Sequence, residues 1–565
     1  MKPHIILVSI LSALMPLVAC EKQLEKQLDE HVYSKLTPEL AFTSGENAQA
    51  ATNEMYESLH NTFRTPYFYI NDMDSDVGFR SGKEFETMND ESIKTSTENS
   101  GYWDGLYKIV ARANIVLDNV PAMSDGKFHD VSPKSQMIAE AHFMRAFAYL
   151  LLTDAYYRVP LVIDSKADLW APAECAELGD IEDVIEQDLK AAYPDLPKSY
   201  DNTEASRPTI GAARAYLARL YMRQAGRARI AGNASLATEK WTAALEQIDK
   251  VLAMENDPYV LLPNVADIYV ANTEEGKYNK EIVFAVRATD KVNNGSWDLG
   301  LSWTPWDCNY GWSTFSMPLE LAWSFDKEDT RFASDMVFTT FTRYLRTDKP
   351  KYKNCIFFFP ESIEKVGLTI KEFKKNNPTI TLESKSKEND AAYTRKYNYY
   401  QAGTYNYNTP NNAILFRFAD VILCKAEIEN ELNGPAAGLP YLNRIRERAF
   451  KNTSHNYSAS DFSSKDEFRS ALCDERAWEF HSEGLRRPDL IRMGLWKDRM
   501  DKYFATIKEK AGWLEKNEER EPGYYKSMYV AYPTDLKPLD KRMYMPIPHR
   551  ELGASASLAD ARNFE

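Results

Sequence analysis

Five of the eleven tryptophans fall within 27 residues, in and around the stretch SWTPWDCNYGWS at 302–313: Trp297, Trp303, Trp306, Trp312 and Trp323. An indole ring is large, flat and rigid, so it can lie against the C–H face of a sugar ring while polar groups bind the hydroxyl rim. Tyr310 lies in the same stretch. The spacing therefore predicts a ligand-binding surface whose candidate contacts are Trp297, Trp303, Trp306, Tyr310 and Trp312.

The alternative interpretation is that these rings pack a small core of their own. It is favoured for Trp323, which lies inside the apolar segment PLELAWSF. The residues between the other tryptophans include proline, asparagine and glycine, which interrupt regular structure and leave fewer places to bury a ring. We therefore expect at least one of Trp303, Trp306 and Trp312 to be an exposed platform.

A second candidate patch is the segment INDMDSDVGFR at 70–80, where Asp74, Asp76 and Arg80 lie on a predicted loop. Charged groups make stronger hydrogen bonds to hydroxyls than neutral groups do, so these side chains are natural partners for a sugar. Two other interpretations stay open: a turn that is merely solvated, and an Asp-rich loop that holds Ca²⁺. No clear motif supports calcium, and no other cofactor or metal is expected.

Other spacings argue against common catalytic and metal sites. The eight histidines form no HxH or HExxH pair, and no close cysteine pair accompanies them. No GxSxG, Walker A or GxGxxG motif stands in the required setting. A formal net charge of −14 makes nucleic-acid binding a poor hypothesis, because phosphate backbones would be repelled. A glycosidase-type carboxylate pair stays open, since 83 acidic residues guarantee many apparent pairs.

The first twenty residues, MKPHIILVSILSALMPLVAC, have the pattern of a signal peptide, with a basic start and an apolar run. The end of this segment is similar to a bacterial lipobox, which implies cleavage before Cys20 and acylation of its thiol and new amine, with palmitate as a typical chain. Two or more acyl chains give stable membrane anchoring. Residues 1–19 are thus the predicted signal peptide and 20–35 a lipidated tether, with ordinary secretion as the alternative.

Apolar residues at helical spacing predict two helical hairpins. In 241–252 they fall at i, i+3, i+4, i+7, i+10 and i+11, and the preceding alanine-rich segment runs to Gly226, a predicted stop. The second hairpin spans 414–450 and breaks at Asn433-Gly434-Pro435. Helix pairs with small residues where they touch are typical of tetratricopeptide repeats. Further helices are predicted at 101–119, 135–155, 180–192 and 466–494.

Residues 271–411 differ in character from the helical segments. Strands are predicted at 281–288 and 336–345, and the rest is rich in turn-forming and aromatic residues. The sequence therefore predicts a mostly α protein: a tetratricopeptide-like helical-hairpin scaffold with an irregular, loop-rich lobe that contains a few short strands. The predicted parts are an N-terminal helical part at 36–270, a ligand lobe at 271–411, and a C-terminal helical hairpin with a terminal segment at 412–565.

Four blocks of sequence together resemble the SusD/RagB family of Bacteroidetes outer-membrane nutrient-binding lipoproteins: AEAHFMRAFAYLLLTDAYYRVPLV at 139–162, FRFADVILCKAEIENELNG at 416–434, DERAWEFHSEGLRRPDLIRMG at 474–494 and MPIPHRELGAS at 545–555. The resemblance covers nearly the whole chain after Cys20. It implies a tetratricopeptide-like scaffold with a glycan-binding lobe, held at the cell surface by lipid alone. It also implies that the protein binds oligo- or polysaccharide and delivers it to a SusC-like TonB-dependent transporter, without catalysis.

The resemblance also extends the second candidate patch. In the family, the loop after the first helices and the aromatic segment just before the WDGLY helix contribute ligand contacts, which adds Asn99 and Tyr102 to the candidates. Two other functions stay open. One is a peptide-binding member of the same family, and the other is a surface glycoside hydrolase.

Overall fold

The computed structural model describes residues 42–80, 87, 90–166, 173–289, 299–304, 312, 314–326, 328–332, 340–342, 355–357, 393–397, 409–514, 542–555 and 557–558. The α-helices are α1 (Gly45–Arg64), α2 (Pro66–Asn71), α3 (Asp90–Lys94), α4 (Thr97–Asn119), α5 (Lys134–Tyr156), α6 (Leu178–Ala192), α7 (Ile210–Ile230), α8 (Ala234–Leu252), α9 (Glu274–Lys277), α10 (Leu299–Trp303), α11 (Leu319–Ser324), α12 (Phe418–Asn433), α13 (Pro435–Phe450), α14 (Lys465–Phe480), α15 (Arg486–Met493), α16 (Trp496–Leu514) and α17 (His549–Ala554). The strands are β1 (Phe79–Arg80), β2 (Ile282–Val286), β3 (Phe315–Ser316), β4 (Thr340–Thr342), β5 (Cys355–Phe357) and β6 (Ala413–Arg417).

The long helices pack mainly against helices close to them in the chain. Helix α4 lies between α1 and α5, α6 packs on α5 and α7, and the pairs α7–α8 and α12–α13 are the predicted hairpins. Helix α8 also packs on α12, which joins the N-terminal and C-terminal helices. The predicted mostly α, tetratricopeptide-like scaffold is therefore confirmed. No helix in the described ranges is both long and apolar enough to cross a bilayer.

Helix α7 shows why one predicted helix end is wrong. Thr209 begins the helix by accepting a hydrogen bond from the Ala212 N–H. The helix continues through Gly226, the predicted stop, and ends at Ile230. A Cβ atom at Gly226 would lie 2.4 Å from the carbonyl oxygen of Arg492. Glycine at this position therefore allows α15 to approach closely and does not end the helix.

The segment predicted as one helix at 466–494 is two helices, α14 and α15. The turn between them contains Ser482 and Gly484, whose φ angles are 64° and 74°. A Cβ atom at Gly484 would lie 2.1 Å from the Tyr67 ring, so both the backbone and the packing require glycine. His481 begins this turn and is buried, and burial lowers its pKa well below the usual range. The imidazole is therefore a neutral core group.

The described strands form two-stranded antiparallel pairs: β1 with β3, β2 with β6, and β4 with β5. Strand β2 lies within the strand predicted at 281–288 and confirms it, and β4 lies within the strand predicted at 336–345, of which the structure describes residues 340–342. The second hairpin was expected to be helical from residue 414, but its first residues are strand β6. They form a strand because they pair with β2, and all five of them are buried in that pairing.

Buried charges connect the short segment 393–397 to the helical scaffold. The Lys396 ammonium lies 2.5 Å from a Glu483 carboxylate oxygen and donates to the carbonyl oxygens of Glu479 and His481, each at 2.8 Å. Arg417 contacts the same two glutamates at 2.9 Å and 2.6 Å. Because these charges are almost fully buried and each has several partners, they fix the segment 393–397 against the helical scaffold.

Candidate functional site

The pairing of β1 with β3 brings the two predicted patches together. Phe79 lies opposite Ser316, and Arg80 lies opposite Phe315. Strand β1 ends the charged segment 70–80, whereas β3 directly follows the aromatic stretch 302–313. Two segments more than 200 residues apart in the sequence thus form one two-stranded ribbon, and we call its surroundings the ribbon site.

Backbone hydrogen bonds hold the aromatic stretch against α10. The Trp312 N–H donates to the Leu301 carbonyl at 2.7 Å, and the Thr314 N–H donates to the Ser302 carbonyl at 3.0 Å. Helix α10 is itself tied to the rest of the protein, since the Gly300 N–H donates to Thr409 Oγ1 at 3.1 Å. The segment that leads into β3, which includes Trp312, therefore lies alongside α10.

Trp303 is a core residue, which corrects the expectation of an open platform there. Its side chain is 0% exposed. Its ring packs edge-on against Phe68 at 5.7 Å, lies 4.9 Å from the Phe315 ring, and stacks on Tyr397 at 5.8 Å. Pro305 was expected to prevent regular structure around Trp303. Instead, residues 299–303 form α10, in which the Trp303 side chain is buried.

The other aromatic candidates have different placements. Trp312 is half-buried, so part of its surface remains accessible. Trp297, Trp306 and Tyr310 lie outside the described residues. Of the predicted aromatic surface, the described structure therefore retains Trp312 as a candidate platform.

Asp74 and Asp76 are both engaged with the protein itself. Asp74 is buried and accepts hydrogen bonds from the Thr87 N–H and hydroxyl, each at 2.8 Å. This corrects the expectation that the Asp74 carboxylate contacts a ligand. The Asp76 carboxylate forms a two-pronged ion pair with Arg486 at 2.7 Å and 2.6 Å. Burial opposes its ionisation, but the Arg486 charge outweighs this and lowers the pKa of Asp76.

The hydrogen bonds and ion pairs of Asp74 and Asp76 are also relevant to the alternative that this loop holds Ca²⁺. A Ca²⁺ site needs several oxygen ligands, and each of these carboxylates already has a protein partner. In the ranges that the structure describes, no group of three His, Cys, Asp or Glu side chains is arranged to hold a metal ion.

Arg80 lies at the accessible edge of the ribbon site. Its Nη1 lies 2.6 Å from Glu98 Oε1, and the two side chains are 18% and 11% exposed. The guanidinium also lies 5.3 Å above the Tyr69 ring, and the exposed Thr97 hydroxyl donates to Glu98 Oε2 at 3.0 Å. Burial opposes ionisation of Glu98, but Arg80 outweighs it and lowers the pKa of that carboxyl. This charged pair can offer donors and acceptors to a ligand hydroxyl.

Asn99 and Tyr102 do not reach the ribbon site surface, and this corrects the expectation for both. Each side chain is 0% exposed. Asn99 donates to the Pro546 carbonyl at 3.0 Å and accepts from the Tyr156 hydroxyl at 2.8 Å. Burial raises the pKa of Tyr102, whose hydroxyl accepts from Asn71. Both residues lie on the inner face of α4, so they position that helix.

Sequence reasoning missed Glu98 and Trp478. Glu98 lies in the first turn of α4, where a carboxylate favours the helix dipole, so the sequence offers an ordinary structural explanation for it. Trp478 is a half-buried indole on α14 whose Nε1 donates to Ser324 Oγ at 2.8 Å. It lines a cavity of about 280 Å³ together with Asp76 and Lys502. No sequence signal distinguishes Trp478 from a buried core residue, because it lies among charged residues in a segment predicted to be helical.

Helix pairs that pack on neighbouring pairs, together with small two-stranded sheets, define the class of helical-repeat proteins. Within that class, the chain belongs to the SusD family. The model of this family matches residues 280–563, and a second SusD-like model, described as starch-binding and associating with the outer membrane, matches residues 26–222. Members of the family are binding proteins and not enzymes.

Individual relatives and solved structures agree with this membership. A SusD-like protein of Formosa agariphila is 27% identical over 504 residues, which are 84% of this chain and 88% of the relative. The fold is similar to a SusD homologue from Bacteroides thetaiotaomicron, with a TM-score of 0.70, 20% identity, and coverage of 94% of this chain and 98% of the homologue. It is also similar to surface glycan-binding protein A of Bacteroides thetaiotaomicron in complex with laminarihexaose, with a TM-score of 0.63, 17% identity, and coverage of 91% and 99%.

Proposed function

We propose that this protein captures an oligo- or polysaccharide at the cell surface and passes it to a partner TonB-dependent outer-membrane transporter. The ribbon site is the proposed binding surface, with Arg80, Glu98 and Trp312 as contacts. The observation that carries this proposal is the β1–β3 pairing. It brings Arg80, which pairs with Glu98, opposite Phe315, three residues after the half-buried Trp312. The structural relative that is described with laminarihexaose supports a saccharide as the ligand class.

The chemistry of the three contacts suits a sugar. The indole of Trp312 offers an apolar face to the C–H side of the ring, and Arg80 and Glu98 bind hydroxyls as donor and acceptor. If a stacking contact contributes about 0.5–1.5 kcal/mol and each of two hydrogen bonds to charged groups about 1.5–3 kcal/mol, the three contacts correspond to roughly millimolar to micromolar binding before association costs and to weaker binding after them. A polymer tolerates such weak binding, because neighbouring units can rebind.

The proposed location is the outer surface of the outer membrane, with a lipid anchor at Cys20. This residue and the signal-peptide pattern before it lie outside the described residues, so the proposal rests on the sequence pattern and on the family description. A Cys20→Ala variant tests it directly. Wild-type protein should incorporate labelled palmitate and sediment with membranes, whereas the variant should do neither. Equal membrane association of both would refute the anchor.

Ligand class is tested with a soluble form that lacks residues 1–20. A glycan array that also carries peptide spots is probed first, and calorimetry then measures the affinity for each binder. The proposal expects binding to one family of glycans and no turnover of that glycan over hours. Binding to peptides alone would support the peptide-uptake alternative, and release of reducing ends after repurification would support a glycoside hydrolase.

A further inference from the structure

A second cavity, whose lining includes none of Arg80, Glu98 and Trp312, contains positive charge that no described carboxylate neutralises. It has a volume of about 380 Å³ and lies between the 198–209 segment and residues 278–287. Its lining includes four cationic side chains: Lys198, Arg207, Lys280 and Arg287. This size is sufficient for a small solute or one monosaccharide unit.

Two of the four cations are already neutralised. Lys198 lies 2.6 Å from an Asp257 carboxylate oxygen. Arg207 lies 2.6 Å from Glu140, which is fully buried, and 3.2 Å from Glu204. These pairs account for the charge of Lys198 and Arg207, so neither of them calls for a ligand.

Arg287 is different, because its guanidinium is half-buried and has no carboxylate partner within ion-pair distance in the described structure. Nε donates to the Ala205 carbonyl at 3.3 Å, and Nη1 donates to the Lys277 carbonyl. The guanidinium carbon lies 5.1 Å from the centre of the Tyr278 ring. Burial lowers the pKa of Arg287 to about 10, so it is still charged at neutral pH.

The neighbouring groups add to the positive potential at Arg287. Lys280 is exposed at the rim of the same cavity, and the described ion pairs include none for its side chain. Thr209, the residue that caps the N-terminus of α7, also lines the cavity, and the positive end of a helix dipole favours anions. Two backbone carbonyls hold Arg287 in place, so little side-chain entropy would be lost on binding.

We infer that this cavity binds a small ligand that carries an oxyanion, either a carboxylate or a sulfate group, with Arg287 as its main contact. A partly buried charge is more stable when it is paired, and the planar guanidinium fork matches two oxygens of either group. This site is separate from the ribbon site, and the inference does not depend on the proposed glycan binding.

Equilibrium dialysis at constant ionic strength tests this inference, with radiolabelled sulfate and radiolabelled glucuronate as anionic probes and glucose as the neutral probe. Wild-type protein should bind at least one anionic probe saturably, at about one per chain, and should not bind glucose at this site. Binding of sulfate alone assigns a sulfate ligand, and binding of glucuronate alone assigns a carboxylate. No saturable binding of either anion overturns the inference.

Variants locate the binding in the cavity. Arg287→Gln should weaken the anion affinity about tenfold or more, since a charge-assisted hydrogen bond contributes at least that factor. Lys280→Gln should weaken it about two- to fivefold through lost long-range attraction. Lys108→Gln, which removes one exposed charge from α4, is the matched control and should bind as wild type does.

The exposed position of Lys280 keeps the test decisive if Arg287→Gln fails to fold, which circular dichroism would show. In that case unchanged anion affinity in Lys280→Gln overturns the inference, and a reduced affinity supports it. Unchanged affinity in a folded Arg287→Gln variant overturns it as well.

Discussion

Arg80 Nη1 lies 2.6 Å from Glu98 Oε1, which links strand β1 to the first turn of α4 at the edge of the ribbon site. The pair is partly accessible, and its strand is fixed by pairing with β3. A charged pair on a rigid support needs little reorganisation to bind a hydroxyl, because the protein holds both groups in place before the ligand arrives.

The first prediction concerns the stability of this pair. Arg80→Gln should lower the free energy of unfolding by about 1–3 kcal/mol, because it leaves the mostly buried Glu98 carboxylate without its charged donor. Urea unfolding followed by circular dichroism measures this. Arg112→Gln, which breaks the exposed Arg112–Glu57 pair at 2.7 Å, is the matched control. A loss for Arg80→Gln no larger than that for Arg112→Gln would show that the pair adds nothing to the stability of the fold.

The second prediction separates two tryptophans of the same stretch. Trp303→Ala should destabilise the protein by about 3–5 kcal/mol, because it leaves a cavity among Phe68, Phe315 and Tyr397. Trp312→Ala, at a half-buried ring, should cost clearly less. Denaturant midpoints of the two variants measure the difference. Equal losses would place both rings in the core and remove Trp312 from the candidate contacts.

The third prediction is that Asp72 and Asp76 affect stability with opposite dependence on pH. Burial raises the pKa of Asp72 from 3.8 to about 7, so the folded protein holds a proton that the unfolded chain releases. Its stabilising contribution is complete below about pH 4 and is lost as pH rises through about 7. The Arg486 ion pair outweighs burial and lowers the pKa of Asp76, so its contribution is present above 3.8 and is lost as pH falls below that value.

Unfolding free energies of the wild type, Asp72→Asn and Asp76→Asn between about pH 3 and pH 8 measure these contributions. Relative to Asp72→Asn, the wild type should lose stability as pH rises from about 5 to 8. Relative to Asp76→Asn, it should gain stability as pH rises from about 3 to 5. The same sign for both variants would contradict the two pKa directions.

The fourth prediction concerns the buried charges around Lys396. Lys396→Met should cost about 3–5 kcal/mol, because it leaves two carbonyl oxygens and part of Glu483 without their donor in the core. Lys250→Met is a matched control, since Lys250 pairs with Glu246 on α8 and the two side chains are 45% and 62% exposed. Its loss should be under about 1 kcal/mol. Similar losses in both variants would mean that burial of the charge has no special effect.

The scaffold was predictable because helical periodicity is local. The apolar positions of α8, α4 and α5 recur every three or four residues, so the helices follow from short windows of sequence. Two local expectations are wrong for tertiary reasons. Gly226 is required by the approach of α15, and the break after α14 depends on the fit of Gly484 against Tyr67. Neither contact has a sequence signature.

The candidate site was harder to predict, because pairing over long distances decides which side chains are accessible. Strands β1 and β3 have two residues each, too few for a periodic pattern, yet their pairing brings the two predicted patches together. The sequence suggested Arg80 and Trp312 as candidates by residue type, and they stay predictions. It could not show that Trp303 lies inside, since that depends on three rings from distant parts of the chain.

Calorimetric titration of the soluble protein with its array-selected glycan tests the ribbon site most directly. Trp312→Ala and Arg80→Gln should each weaken the affinity about tenfold or more while circular dichroism shows an intact fold, and Arg112→Gln should bind as the wild type does. Wild-type affinity in both ribbon-site variants would contradict glycan binding at this surface.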